Sequence, residues 1–187
     1  MNIKYTAIIC VCLGLLMTPI NGMSPEQQQK LDKQLIDTIG YDNLNEVKNL
    51  IRKGANVNAR DRWGIPFLLR ALPRHQEIAK YLITNGADVN TKTSDDNTVL
   101  MRAAHYGLFD LVKFLVQNGA DINIVNDNND TALSIAQGRG HNNIVDFLKD
   151  PQQYYRSRQL VIIKDTKAGT KPGAPDIHFN FVNNLEK

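Results

Sequence analysis

The chain has 187 residues, 42% of them apolar and 22% charged. Those proportions suit one folded domain with a real core and exclude disorder throughout. The net charge of +3, from 22 Lys+Arg against 19 Asp+Glu, lacks the clustered basic excess of a dedicated nucleic-acid binder.

In chain order, residues 1–22 form a separate segment. Lys4 supplies a positive start, and Tyr5 to Ile20 carry no charge. Pro19-Ile20-Asn21-Gly22 follows as a break. This is the pattern of a secretory signal with cleavage expected after Gly22. Sixteen uncharged residues is short of the ~20 that span a bilayer; the alternative reading is a retained membrane anchor. Neither Cys10 nor Cys12 has the setting of a lipoprotein cysteine. Both lie inside this segment, so a processed chain would hold no disulfide, thiolate nucleophile or cysteine metal ligand. The Asn-, Ile- and Lys-rich usage suits an AT-rich bacterial genome.

Ser24-Pro25-Glu26-Gln27 opens the next segment. Ser at the N-cap, Pro at the first helical position and Gln two residues after Pro make a capping box. The helix it starts carries Leu31, Leu35 and Ile39 on one stripe and Gln28, Gln29 and Lys30 elsewhere. A polar outer face suits the end of a repeat array.

From there the chain repeats itself. Gly54-Ala55-Asn56-Val57-Asn58, Gly86-Ala87-Asp88-Val89-Asn90 and Gly119-Ala120-Asp121-Ile122-Asn123 place their glycines 32 and then 33 residues apart. An apolar helical pattern precedes each: Val47, Leu50 and Ile51; Ile78, Tyr81 and Leu82; Leu111, Leu115 and Val116. A fourth copy, Ile144 to Leu148, ends the array near Asp150. Within one unit a helix is expected over 98–106, with Ala103-Ala104 admitting a close neighbour and Gly107 ending it. A second helix is expected from Phe109 to Gln117 with Leu111, Val112, Leu115 and Val116 buried. One unit leaves its apolar faces bare, so units must stack. Asn58, Asn90 and Asn123 hold one repeated place, as do Asn56, Asp88 and Asp121, which points to loop hydrogen bonding.

Residues 24–59, 60–92, 93–125 and 126–150 are the expected repeats. In the second, Ala71-Leu72-Pro73-Arg74-His75 replaces the inter-helix glycine, and Pro73 should end the first helix early. Residues 151–187 form a tail with no repeat. Leu160 to Ile163, and Ile177, Phe179 and Phe181, suit short strands, and a loose tail is the alternative.

The three Gly-Ala-Asx-Val/Ile-Asn segments, Ala103-Ala104 with Gly107, and Thr131-Ala132-Leu133-Ser134 through Gly140-His141 resemble an ankyrin repeat protein. The resemblance covers about residues 35 to 150. It implies an all-α curved solenoid of about four helix-turn-helix repeats with projecting β-turn fingers, plus a short irregular or β tail. The family's Thr-Pro-Leu-His element reads Pro66-Phe67-Leu68-Leu69, Thr98-Val99-Leu100-Met101 and Thr131-Ala132-Leu133-Ser134. Its histidine is absent from all three, so the resemblance does not carry over the inter-repeat hydrogen bonds built on it.

The resemblance also implies a binding face on the finger tips and inner-helix ends. The matching positions are Arg62, Trp63 and Ile65 with Arg74; Ser94, Asp95 and Asn97 with His105 and Tyr106; and Asp127, Asn128 and Asp130 with Arg139. Trp63 is the sole tryptophan and sits among Arg60, Arg62 and Ile65, a composition typical of interface anchors. Folding down over Phe67 is its alternative. The first finger is basic and the next two acidic, which orients a protein partner and repels a uniform polyanion. Asn126 to Asp130 lacks the central Gly and distal Glu of a calcium loop. No HExxH, GxSxG or phosphate loop occurs. His75, His105, His141 and His178 have no metal-ligand spacing. His178 beside Asp176 is the lone hint of chemistry.

The sequence therefore predicts an exported, non-enzymatic protein, periplasmic or secreted, with no cofactor, metal or small-molecule substrate. Its partner is another protein and not nucleic acid, and it meets membrane only through residues 1–22 if they are retained. A self-associating envelope protein without a fixed partner is the alternative.

Overall fold

The computed structural model describes residues 23–156 of the chain. The expected signal segment and the expected strands of the tail lie outside the described residues.

Chain order alternates inner and outer helices. The first unit contains α1 (Pro25–Gly40), α2 (Leu44–Arg52), α3 (Phe67–Arg70), α4 (Gln76–Thr84), α5 (Val99–His105), α6 (Phe109–Gln117), α7 (Ala132–Arg139) and α8 (Asn142–Lys149). Helices α1, α3, α5 and α7 pack on one another in sequence; so do α2, α4, α6 and α8. Residues 150–156 belong to a second unit. Here the structure departs from expectation: 151–156 are helical rather than irregular or β. Pro151 suits a first helical position, and Gln152 to Arg156 are all tolerated in a helix.

Helices α1, α2, α5 and α7 start where a side chain satisfies an orphan amide. Ser24 Oγ accepts from Gln27 N at 3.2 Å while Gln27 Oε1 accepts from Ser24 N at 2.9 Å, the capping box expected from the sequence. Thr131 and Ser134 reciprocate in the same way before α7. Thr98 Oγ1 caps Met101 N before α5, with the Met101 thioether receiving Thr98 N–H at 3.5 Å. Residues that replaced the family's histidine thus close the helix starts locally. Pro66 gives α3 no side-chain cap. Helix α3 stops after four residues, because Pro73 brings no N–H and a ring that blocks continuation; the Leu72–Pro73 peptide is cis.

Gly107 fulfils two conditions at once. Its φ is +70°, and a Cβ there would lie 2.7 Å from the His141 ring. That ring sits in the turn of the next repeat and its Nε2 is 3.2 Å from the His105 carbonyl oxygen. His141 is therefore a structural link between consecutive inter-helix turns. Below it, Leu100, Ala103, Ala104, Leu111, Val112, Leu115, Ala136, Ile144 and Phe147 are buried. Each large apolar side chain among them contributes roughly 1.5–3 kcal/mol on leaving water. Val116, expected in the stripe, is only half-buried.

The loops are joined by a ladder of asparagines. Asn58 accepts from Asp88 N through Oδ1 at 2.7 Å and donates to Gly86 O through Nδ2 at 3.1 Å. Asn90 does the same to Asp121 N and Gly119 O, at 2.8 and 3.1 Å. At the Gly54 loop, α1 supplies the equivalent pair from two residues. Asp32 Oδ1 accepts from Asn56 N at 2.8 Å, and Gln28 Nε2 donates to Gly54 O at 3.1 Å. The cap helix thus reproduces the chemistry of a ladder asparagine.

Asn90→Ala should destabilise the protein by about 1 to 2 kcal/mol, the net worth of two hydrogen bonds. Asn123→Ala should cost less, since among the described residues the Asn123 amide joins no following loop. Urea unfolding of the two variants measures the difference.

Candidate partner-binding face

Each finger is shaped by the side chain at its root. Asp61 Oδ1 accepts from Trp63 N and Ile65 N at 2.8 and 2.9 Å. Asn126 Oδ1 accepts from Asn128 N and Asp130 N at 3.0 and 2.9 Å. Thr93 Oγ1 accepts from Asn97 N at 3.1 Å. The fourth finger residue has positive φ in all three: Gly64, Asp96 and Asn129. Asp and Asn are the residues other than Gly that tolerate this conformation best. The inward-turned oxygen of Asn126 explains the polar 126–130 segment as turn chemistry, and no cluster of three metal-ligating side chains exists among the described residues.

Neighbouring fingers are coupled. The Arg60 guanidinium donates to Gly64 O and Lys92 O at 2.8 and 2.9 Å, so this arginine bridges two repeats and is committed to the fold. Asn126 Nδ2 donates to Asn97 Oδ1 at 2.9 Å, and Asp127 N lies 3.4 Å from Asp95 O. The tips therefore present Arg62-Trp63, Ser94-Asp95 and Asp127-Asn128 outward as one set.

On the first finger Trp63 stays 60% exposed. It does not fold down over the buried Phe67. The Arg62 guanidinium lies 3.9 Å from its ring centroid and that of Arg70 lies 5.5 Å away, each worth about 0.5–1 kcal/mol at an exposed site. Arg70 Nε is also 3.6 Å from Asp61 Oδ2, which fixes the guanidinium beside the indole. Ile65 is half-buried at the finger's root, and Arg74 is exposed after α3.

Between α5 and α7 a cleft of about 190 Å³ is lined by Asn97, Met101, Arg102, His105, Tyr106 and Ile135. It gathers three residues marked in the sequence, Asn97, His105 and Tyr106. Tyr106 is 41% exposed and meets His105 edge-to-face at 5.0 Å. Burial holds the His105 imidazole below its ordinary pKa, and the positive charges of Arg139, Arg102 and His141 add to this. On the third finger Asp127 and Asn128 are exposed, as is Arg139 at the end of α7. Asp130 instead accepts from Ser134 Oγ at 3.0 Å, so its carboxylate supports the start of α7.

Sequence reasoning missed Arg70, Arg102, Met101 and Ile135. Their signal was register: Arg70, Arg102 and Ile135 take the same place in successive inner helices. A separate hollow of about 270 Å³ at α1 is lined by Met23, Gln27, Lys30, Leu31, Gln34 and Lys53 and gathers no acid–base or nucleophilic set.

A family model described as ankyrin repeats in three copies matches residues 35–126 and 100–159. The human mitochondrial disaggregase is 29% identical over 104 residues, covering 55% of this chain and 14% of that protein. The chain thus matches only a small part of that relative.

Stability should fall as the pH drops below 6.5, the ordinary histidine value. With the folded pKa of His105 lowered, the unfolded chain binds the proton more readily, and acid favours it. His105→Gln should flatten the slope of unfolding free energy between pH 7 and pH 5.5; an unchanged slope would place the acid sensitivity elsewhere.

Proposed function

We propose that this chain, which belongs to the ankyrin repeat family, is an exported, non-catalytic protein that binds another protein through its finger tips and inner-helix ends. Ankyrin repeats are in general protein–protein interaction modules. The observation that carries the reading is Trp63, left in solvent with its ring braced by two guanidiniums. A large aromatic held rigid in water is what an interface anchor requires, because little further ordering remains to be done on binding. The cleft beside Tyr106 offers a second anchor point on the next repeat.

The export reading rests on Lys4 and the uncharged run Tyr5–Ile20. It makes the protein periplasmic or secreted. The fold gives the same face to any partner, whichever compartment holds it.

Trp63→Ala and Tyr106→Ala should each weaken partner binding at least tenfold, as hot-spot residues do. Isothermal titration with a protein captured by the purified chain provides the measurement. Unchanged affinity in the double variant would put the interface elsewhere. Sedimentation of the free protein should show a monomer; a concentration-dependent oligomer with no captured partner would favour self-association instead.

A further inference from the structure

We propose, resting on the interaction reading above, that the partner presents an extended segment of split charge. Its carboxylates, three residues apart, face Arg70 and Arg102, and its cationic side faces the carboxylates of the second and third fingers.

The last three inner segments are one-signed. Pro66–Gln76, Thr98–Leu108 and Thr131–His141 contain four arginines and three histidines but no Asp or Glu. Arg70 and Arg102 fall at the same place in consecutive inner helices, and Arg74 and Arg139 share a second place, with Tyr106 between them in register. Asp61 pairs with Arg70. Among the described residues, no carboxylate lies within ion-pair distance of Arg74, Arg102 or Arg139. Arg102 is half-buried in the wall of the Tyr106 cleft. Burial first, and then the fields of Arg139 and Arg102, oppose protonation of His105. A partly desolvated guanidinium gains most from a carboxylate it can grip through two N–H groups.

The fingers carry the opposite sign. Asp95 and Asp127 are exposed at adjacent tips, and their backbones are tied together. A uniform polyanion would satisfy the arginines and be repelled by these tips. A peptide with acidic and basic edges satisfies both. Spacing sets its conformation. Stacked helices sit about 8–10 Å apart. A polyproline II chain rises about 3.1 Å per residue with three residues per turn. Residues i and i+3 then lie on one edge, about 9 Å apart, matching Arg70 and Arg102 in consecutive repeats; Arg139 stands one helical turn further along α7.

The test uses a fluorescein-labelled synthetic peptide of four Glu-Pro-Lys triplets and the purified full chain, followed by fluorescence anisotropy. Specific binding should weaken at least fivefold for Arg102→Gln and for Arg70→Gln, and less for Arg102→Lys. It should vanish for a Gln-Pro-Lys peptide on the unaltered protein, a control that no folding defect affects. Asp95→Asn with Asp127→Asn should also weaken it, and raised salt should weaken it further. Equal binding of the Gln-Pro-Lys peptide, or indifference to both arginine substitutions, overturns the proposal. Tighter binding of a twelve-residue oligothymidine than of the peptide overturns it in favour of nucleic acid. If a captured partner is lost in the Trp63→Ala, Tyr106→Ala variant but keeps its affinity for Arg102→Gln, the split-charge segment fails while the interaction reading stands.

Discussion

One amide, used twice, sets the spacing of successive loops along the first three repeats. Each ladder asparagine offers a carbonyl oxygen to a backbone N–H of the following loop and an N–H to a backbone carbonyl two residues earlier. Those loop groups have no sheet or helix to satisfy them, and an extended loop without partners would drift. The net energy is modest, near 1 kcal/mol per bond. The geometric effect is larger, because it repeats at two successive junctions and fixes how far one loop sits from the next. At the N-terminal end the same chemistry is assembled from Gln28 and Asp32, themselves 2.8 Å apart. The array therefore begins with its first loop satisfied.

The register set at the loops reaches the face through the fingers. Arg60 ties the first finger to the second, and the Asn126–Asn97 bond ties the third to the second. On the third finger Asp130 then ties the loop to its own helix start through Ser134. Exposed Trp63 and the half-open Tyr106 cleft are thus mounted on stiff supports. A stiff surface loses little freedom on binding, which suits recognition by contact more than chemistry by closure.

Much of this was written plainly in the chain. The Gly-Ala-Asx-Val/Ile-Asn segments, the Ser24 capping box, Gly107 and the span of α6 follow from local rules, and each of these elements stands where those rules put it. Pro73 shortened α3 for the reason its ring dictates. Other features were hidden because they depend on what stacks against what. Arg60 reads as one more finger cation until its reach to Lys92 is seen. Asp130 reads as a tip residue until Ser134 is found beneath it. Gln28 and Asp32 share no motif with Asn58, so their equivalence emerges only in three dimensions. Arg70 and Arg102 sat inside apolar helical text, where a single cation reads as a solvated edge.

Amide hydrogen exchange at Asn56, Asp88 and Asp121 tests the ladder most directly. All three residues are solvent-exposed, yet each N–H is held by a side chain of the preceding repeat or cap. The account predicts slow exchange at all three, with protection comparable to the helices they adjoin. Exchange at the rate of an unstructured loop would show that the repeats are held by their apolar faces alone and that the ladder does not set their register.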